Sequence, residues 1–425
     1  MSSALLSRKR LRYAWIAGGA LWAGWLVSLL AGRQGLDLAG QVIGGDYLQF
    51  YAAGDALRLG ESPRLYDMAY QFHLQQQIIG PSLTNYYAFI TPPFLAWLYE
   101  PLSALPYRLS FALWSLFGLA ALWCSIRLVD GVGLSNALVW SLTWFPVFAS
   151  VSYGQNSLLS LLLLAGVYRL WRSSAANGGK PLSRIPYSLF PYLAGLMASL
   201  LLYKPQLLIG VVVLWLLEWR RDIRPLLGLV TGGAALAALC MWKLPAAARS
   251  YWAFARNVLP NLPSWLQFPL WNLHTVRGFW RLLLPGFPLL ADALYAGLVC
   301  VGVAGFVCFW RKHRGQPELL FAGAVCLTFW ATPHAMIYDW ALLLIPALLL
   351  WRAAPDGQAF WRIAYVAIWV ATLVSGPLVR GQLALSPIAV QVSVPILLAI
   401  ITLCYRRLPS ESPGTDASLG RTQVP

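Results

Sequence analysis

The chain alternates apolar runs with charged or Pro/Gly-rich breaks, and most runs are long enough to form a membrane-crossing helix. Roughly 20 apolar residues carry an α-helix across a hydrocarbon layer about 30 Å thick. Reading from break to break places spans near residues 13–31, 109–127, 134–150, 156–171, 187–203, 206–218, 225–243, 290–310, 318–333, 339–352, 362–378 and 388–404. The first run follows Arg8, Lys9, Arg10 and Arg12, which gives it the outline of a signal peptide. It is nevertheless long enough to span, and the AGRQG after it is a poor cleavage site, so it reads as a retained first helix.

Lys and Arg in short loops stay on the cytoplasmic side. The clusters Arg8/Lys9/Arg10/Arg12, Arg169/Arg172/Lys180/Arg184, Arg220/Arg221/Arg224, Arg311/Lys312/Arg314 and Arg406/Arg407 agree only if an even number of crossings separates each pair. This decides the status of residues 89–105, which are apolar enough to span but would reverse every later loop. They read instead as a Pro-bounded re-entrant or interfacial segment carrying Glu100 and packed against protein. The expected fold is therefore all-α and polytopic, with about 12 transmembrane helices over residues 1–405 and a disordered cytoplasmic tail over 406–425. Residues 32–108 and 244–289 become outer loops. The first shows helical periodicity over Tyr47–Leu59 and Tyr66–Ile79, suited to helices lying on the membrane surface. The second carries Trp252, Trp265, Trp271 and Trp280, residues that favour the interface.

Composition agrees. The 425 residues are 59% hydrophobic and 11% charged, against roughly 25% charged residues in soluble domains. The net charge of +16 would suggest nucleic acid as partner for a soluble protein; here most of the basic excess lies in the cytoplasmic loops and reports orientation. Cys124, Cys240, Cys300, Cys308, Cys326 and Cys404 all fall in apolar stretches without CxxC spacing, so neither a zinc site nor a disulfide framework is indicated.

The spans are almost free of interior charge, which disfavours ion-coupled transport. Polar residues gather at the expected outer ends of spans instead. These are Asp46, Asp55 and Asp67, then Gln155 and Asn156, Lys204, the group Asn272/His274/Arg277/Arg281, and His334/Tyr338/Asp339. Such convergence suggests an active site at the membrane boundary.

GGDYLQFYAAGDALRLGESPRLYD (Gly44–Asp67), TPPFLAWLYEPLSALP, SYGQNSLLSLLLLAG (Ser152–Gly166), LLYKPQLLIG (Leu201–Gly210) and ATPHAMIYDWALLLIPALLL (Ala331–Leu350) together resemble glycosyltransferase family 87. That family consists of integral-membrane enzymes of the GT-C fold and includes polyprenyl-phosphate-mannose-dependent mannosyltransferases. The resemblance implies an inverting transfer of a sugar, mannose in the first place, from a polyprenyl-phosphate donor to a glycolipid or glycan acceptor at the outer face of the plasma membrane. It makes Asp46 the general base. Lys204, Arg277, Arg281 and His334 become candidates for the donor phosphate, and Gln155, Asn156, His274, Tyr338 and Asp339 candidates for sugar or acceptor.

Each residue also has a plainer reading. Asp46 with Gln49 forms a D-Y-L-Q capping box; Asp55 pairs with Arg58; Asp67 caps the next helix. Lys204 at a span end snorkels to water, Arg277 and Arg281 form a headgroup-facing stripe, and Gln155, Asn156 and Asp339 cap their helices. The scattered carboxylates lack the spacing of a magnesium or manganese site, so neither metal nor other cofactor is expected. The rival from another class is a transporter or flippase of a lipid-linked sugar.

Overall fold

The computed structural model describes residues 8–33, 35–130, 134–175, 186–261, 269–353 and 358–408. The tail beyond position 408, Trp265, and Lys180 and Arg184 lie outside the described residues. Among the described residues every regular element is helical, with three isolated β-bridges besides.

Four helices are long and apolar enough to cross a membrane by length and composition: Tyr107–Val129, Arg224–Lys243, Pro288–Lys312 and Ile363–Leu383. Shorter apolar helices cover further expected spans, namely Trp15–Ala31, Phe190–Tyr203, Pro205–Leu217, Pro317–Ala331, Ile337–Trp351 and Ser393–Arg406. Only 17% of the apolar window in Pro288–Lys312 is buried within the protein. Side chains such as Leu30, Val230 and Leu289 stand largely exposed. In a folded protein such an apolar belt requires lipid around it. The chain is a membrane protein.

Several expected spans are broken. The run 134–150 divides into Leu134–Thr143 and Phe145–Ser152, with Pro146 in the first turn of the second piece. Phe190–Ser199 passes into the 3₁₀ turn Leu200–Tyr203, and after Lys204 a second 3₁₀ turn, Pro205–Leu208, leads into Ile209–Leu217. The residue before proline avoids the helical region, and Lys204 accordingly sits at φ −136°, ψ 66°. The last of these breaks is the 3₁₀ segment Ile337–Leu343, which precedes the helix Leu344–Ala353. Irregular backbone in a membrane protein is tolerated where protein covers it, and the breaks at Lys204 and at Ile337–Leu343 carry residues of the cluster described below.

Three helices fill the segment between the first two spans: α1 (Gly45–Arg58), α2 (Met68–Ile79) and α3 (Pro93–Ser103). The periodicity expected from sequence is present, and α1 is covered by protein on nearly every side. Residues from Tyr47 to Leu57 are buried except Gln49. Its small residues let α3 press against it: a Cβ at Gly54 would come within 2.5 Å of the Tyr99 backbone. Phe50 stacks on Tyr99 at 4.9 Å, and Trp114 packs on Tyr99 at 4.8 Å. An aromatic floor thus fixes α1 against Tyr107–Asp130. The 89–105 segment contains α3, whose 11 residues extend about 16 Å, roughly half a hydrocarbon core.

Candidate active site

Two glycines in the left-handed region bring distant chain segments together. Gly44 (φ 58°) precedes α1, and Gly154 (φ 69°) precedes Gln155; both pack against Phe111, where a Cβ would collide with its ring. Only glycine adopts this conformation without penalty. The Tyr47 amide donates to the Tyr153 carbonyl at 3.0 Å, and Trp114 Nε1 donates to the Gly154 carbonyl at 3.1 Å. The start of α1 and the approach to Ser157–Ala175 are thereby locked side by side.

Asp46 occupies the first turn of α1, where the N-terminal peptide dipoles favour an anion. It does not cap the helix. Gly44 is the N-cap and makes no side-chain cap, so the expected capping box is absent. The Asp46 carboxylate turns instead toward Gln155, whose Nε2 donates to Oδ2 at 2.8 Å. The same nitrogen donates to the Tyr338 hydroxyl at 3.1 Å, and Tyr338 also hydrogen bonds Asp46. On the other side of the amide, Lys204 Nζ donates to Gln155 Oε1 at 3.3 Å and to Asp339 Oδ1 at 2.8 Å. Asp339 further accepts from Ser157 Oγ at 2.8 Å and from the Met336 amide at 3.1 Å; Met336 rather than Asp339 is the N-cap of this segment, and Asp339 reaches back to it from the first turn. The Lys204 ammonium also lies 5.1 Å above the Tyr338 ring. Carboxylate, amide, ammonium and second carboxylate form one continuous chain drawn from four separate segments.

Electrostatics distinguishes the two carboxylates. Lys204 and Asp339 form an ion pair with side chains 12% and 2% exposed. Burial pushes the Asp46 carboxyl above its ordinary range; the Gln155 hydrogen bond, the Lys204 charge and the Tyr338 hydrogen bond pull it back, and the Asp339 charge adds to the rise. As a residue Asp46 is half-buried, and desolvation is the largest influence on its carboxyl. Tyr87 packs against Gly45, and burial together with the Asp46 charge holds its phenol at about 12.

His334 is half-buried, and burial holds its imidazole below the usual range, opposed by the Asp339 charge and assisted by Lys204. It borders the cluster. His274 is anchored elsewhere: its ring meets Ser393 Oγ at 2.8 Å and lies edge-on to Trp340. Burial lowers His274 to about 3, which keeps it neutral. Its backbone amide donates to the Ala335 carbonyl at 2.9 Å, so it braces the loop bearing His334. Asn156 is fully buried, and neither amide atom of its side chain has a partner. Arg277 and Arg281 are not brought into the cluster. Both donate to Asp292, at 3.0 Å from Arg277 Nε and 2.5 Å from Arg281 Nη2. The Asp55–Arg58 pair and the Asp67 cap on Tyr70 are formed as the plainer readings expected.

Ser157, Tyr153 and the two glycines escaped the sequence reading. Ser157 adjoins Asn156 at the start of an apolar run, so its position was a usable signal; the glycines become informative only once their φ angles are known. Among the described residues no group of three or more His, Cys, Asp or Glu has metal-site geometry.

In this membrane protein a carboxylate and a lysine thus share one polar cluster at the ends of broken helices. The profile of glycosyltransferase family 87 matches residues 89–333, more than half of the 425-residue chain, and the protein belongs to that family of glycosyltransferases. Gln155 and Lys204 fall inside the matched region; Asp46 and Asp339 flank it. No curated protein and no solved structure matches the chain.

Proposed function

We propose that the protein transfers a sugar, mannose in the first place, from a polyprenyl-phosphate donor to a glycolipid or glycan acceptor at the outer face of the plasma membrane, with inversion. Both termini are then cytoplasmic. Asp46 takes the proton of an acceptor hydroxyl as its oxygen attacks the anomeric carbon. The bond from that carbon to the phosphate oxygen breaks on the opposite face, and the electron pair leaves with the polyprenyl phosphate. The leaving phosphate needs positive charge and hydrogen-bond donors rather than a proton. Lys204 is the cation nearest the base and His334 a neutral donor beside it. Arg277 and Arg281 keep one uncompensated positive charge beside Asp292 and would meet a phosphate only from there. Asn156, whose side-chain amide has no partner among the described residues, is the proposed contact for sugar or acceptor hydroxyls.

The observation that carries this reading is the Asp46 carboxylate itself. It is ionisable, held above its ordinary range by burial, and joined through one amide to a lysine. The test is transfer by the purified protein from radiolabelled polyprenyl-phosphate mannose into a membrane lipid extract. Replacing Asp46 by Asn should lower the rate about 10²- to 10⁴-fold; undiminished transfer by Asp46→Asn would remove the base from the scheme.

A further inference from the structure

Gln155 stands between two charges, and its orientation follows from chemistry. An ammonium only donates hydrogen bonds. The Gln155 atom facing Lys204 Nζ at 3.3 Å must therefore be the carbonyl Oε1, which leaves the amide nitrogen toward Asp46. Both hydrogens of Nε2 are then committed, one to Asp46 Oδ2 at 2.8 Å and one to the Tyr338 hydroxyl at 3.1 Å. The backbone is equally constrained: the Gln155 amide donates to the Ser150 carbonyl at 2.9 Å, and the preceding Gly154 is held by Trp114. A residue with its donors spent on protein groups is poorly placed to recognise a sugar hydroxyl, yet well placed to hold a carboxylate.

We infer that Gln155 is a positioning residue, whose amide fixes the Asp46 carboxylate in one orientation and ties it to Lys204 so that base and cation form a single unit. The inference rests on the reading of Asp46 as the base. Substrate contacts to Gln155 are not required. Because the amide donates to the ionised carboxylate, it favours the charged form; losing it makes Asp46 harder to ionise. The other titratable groups around Asp46 are Lys204, Asp339, Tyr338, Tyr87, Tyr107 and Tyr153, and they remain unchanged in the test variants.

The test is infrared titration of the full-length protein in lipid nanodiscs, without substrate. The difference between wild type and Asp46→Asn isolates the carbonyl stretch of protonated Asp46 and gives its midpoint pH. Gln155→Met removes the donor with little change in size and should move this midpoint upward by about one to two pH units, the magnitude expected for one hydrogen bond to a charged group. Gln155→Glu keeps an acceptor for Lys204 but places an anion against Asp46, so its midpoint should lie higher still; it also serves if the Met variant fails to fold. In transfer assays the acid limb of the kcat/KM profile should follow the same order, with kcat falling more than the donor KM rises. A midpoint unmoved in Gln155→Met and Gln155→Glu overturns the inference, as does a rise in donor KM alone. Failure of the base assignment is separate: Asp46→Asn would then retain transfer whatever the titrations show.

Discussion

At the scale of single residues, the cluster holds an ionisable group at an electrostatic cost. The folded protein holds the Asp46 carboxyl above its ordinary value of 3.8, so the folded state binds this proton more tightly than the unfolded chain. Stability then falls as pH rises from 3.8 through the raised value, and ionised Asp46 is a cost at neutral pH. Asn at position 46 retains an oxygen to accept from Gln155 without the charge. The Asp46→Asn variant should therefore unfold at a higher temperature than wild type at pH 7 while losing transfer, and scanning calorimetry in detergent measures the first effect independently of the second. The Lys204–Asp339 pair behaves oppositely. Its side chains are 12% and 2% exposed, and removing one partner of a buried pair costs about 3–5 kcal/mol, because the other charge remains without compensation. Lys204→Met should be strongly destabilised, and adding Asp339→Leu should restore part of the loss; a double variant less stable than Lys204→Met would contradict the pairing.

At the scale of elements, the site depends on breaks in helices rather than on helices. Lys204 reaches the cluster because Pro205 forbids continuation of the helix before it, and Gln155 because Gly154 turns the chain in the left-handed region. An alanine at Gly154 meets a backbone penalty of about 1–2 kcal/mol and also places its Cβ 2.5 Å from Tyr47 Cβ and 3.0 Å from the Phe111 ring. Gly40 has a similar φ of 74° with nothing within 4 Å of its absent Cβ. Gly154→Ala should abolish transfer, whereas Gly40→Ala should show only the backbone penalty and near-normal transfer. Comparable activity in the two variants would deny the glycine's part in joining α1 to Gln155. The helix α1 was legible as a helix from its periodicity, but its burial was not, because the residues covering it come from α3 and from Tyr107–Asp130.

At the scale of the whole molecule, orientation is open to a direct test. A periplasmic-type reporter fused after residue 60 should be active, and the same reporter fused after Gly315, beside Arg311 and Arg314, should be silent; the reverse pattern would turn the site toward the cytoplasm. The sequence alone determined that the chain lives in a membrane, that it is helical, and which polar residues are exceptional, because transfer of side chains from water to lipid is a property of composition and run length. It also carried the family, through motifs made of glycine, proline and aromatics. It left three matters to the tertiary structure. Asp46 read as a cap as well as a candidate base, and only the start of α1 at Gly45 and the nearness of Gln155 removed the cap. Arg277 and Arg281 read as a phosphate clamp or a headgroup-facing stripe, and only the folded chain set Asp292 between them. Gln155 read as a cap or a sugar contact, and only the folded chain put protein groups on both faces of its amide. In each case the deciding partner lies far along the chain or across a turn, and local pattern records which groups a residue carries but not which distant group satisfies them.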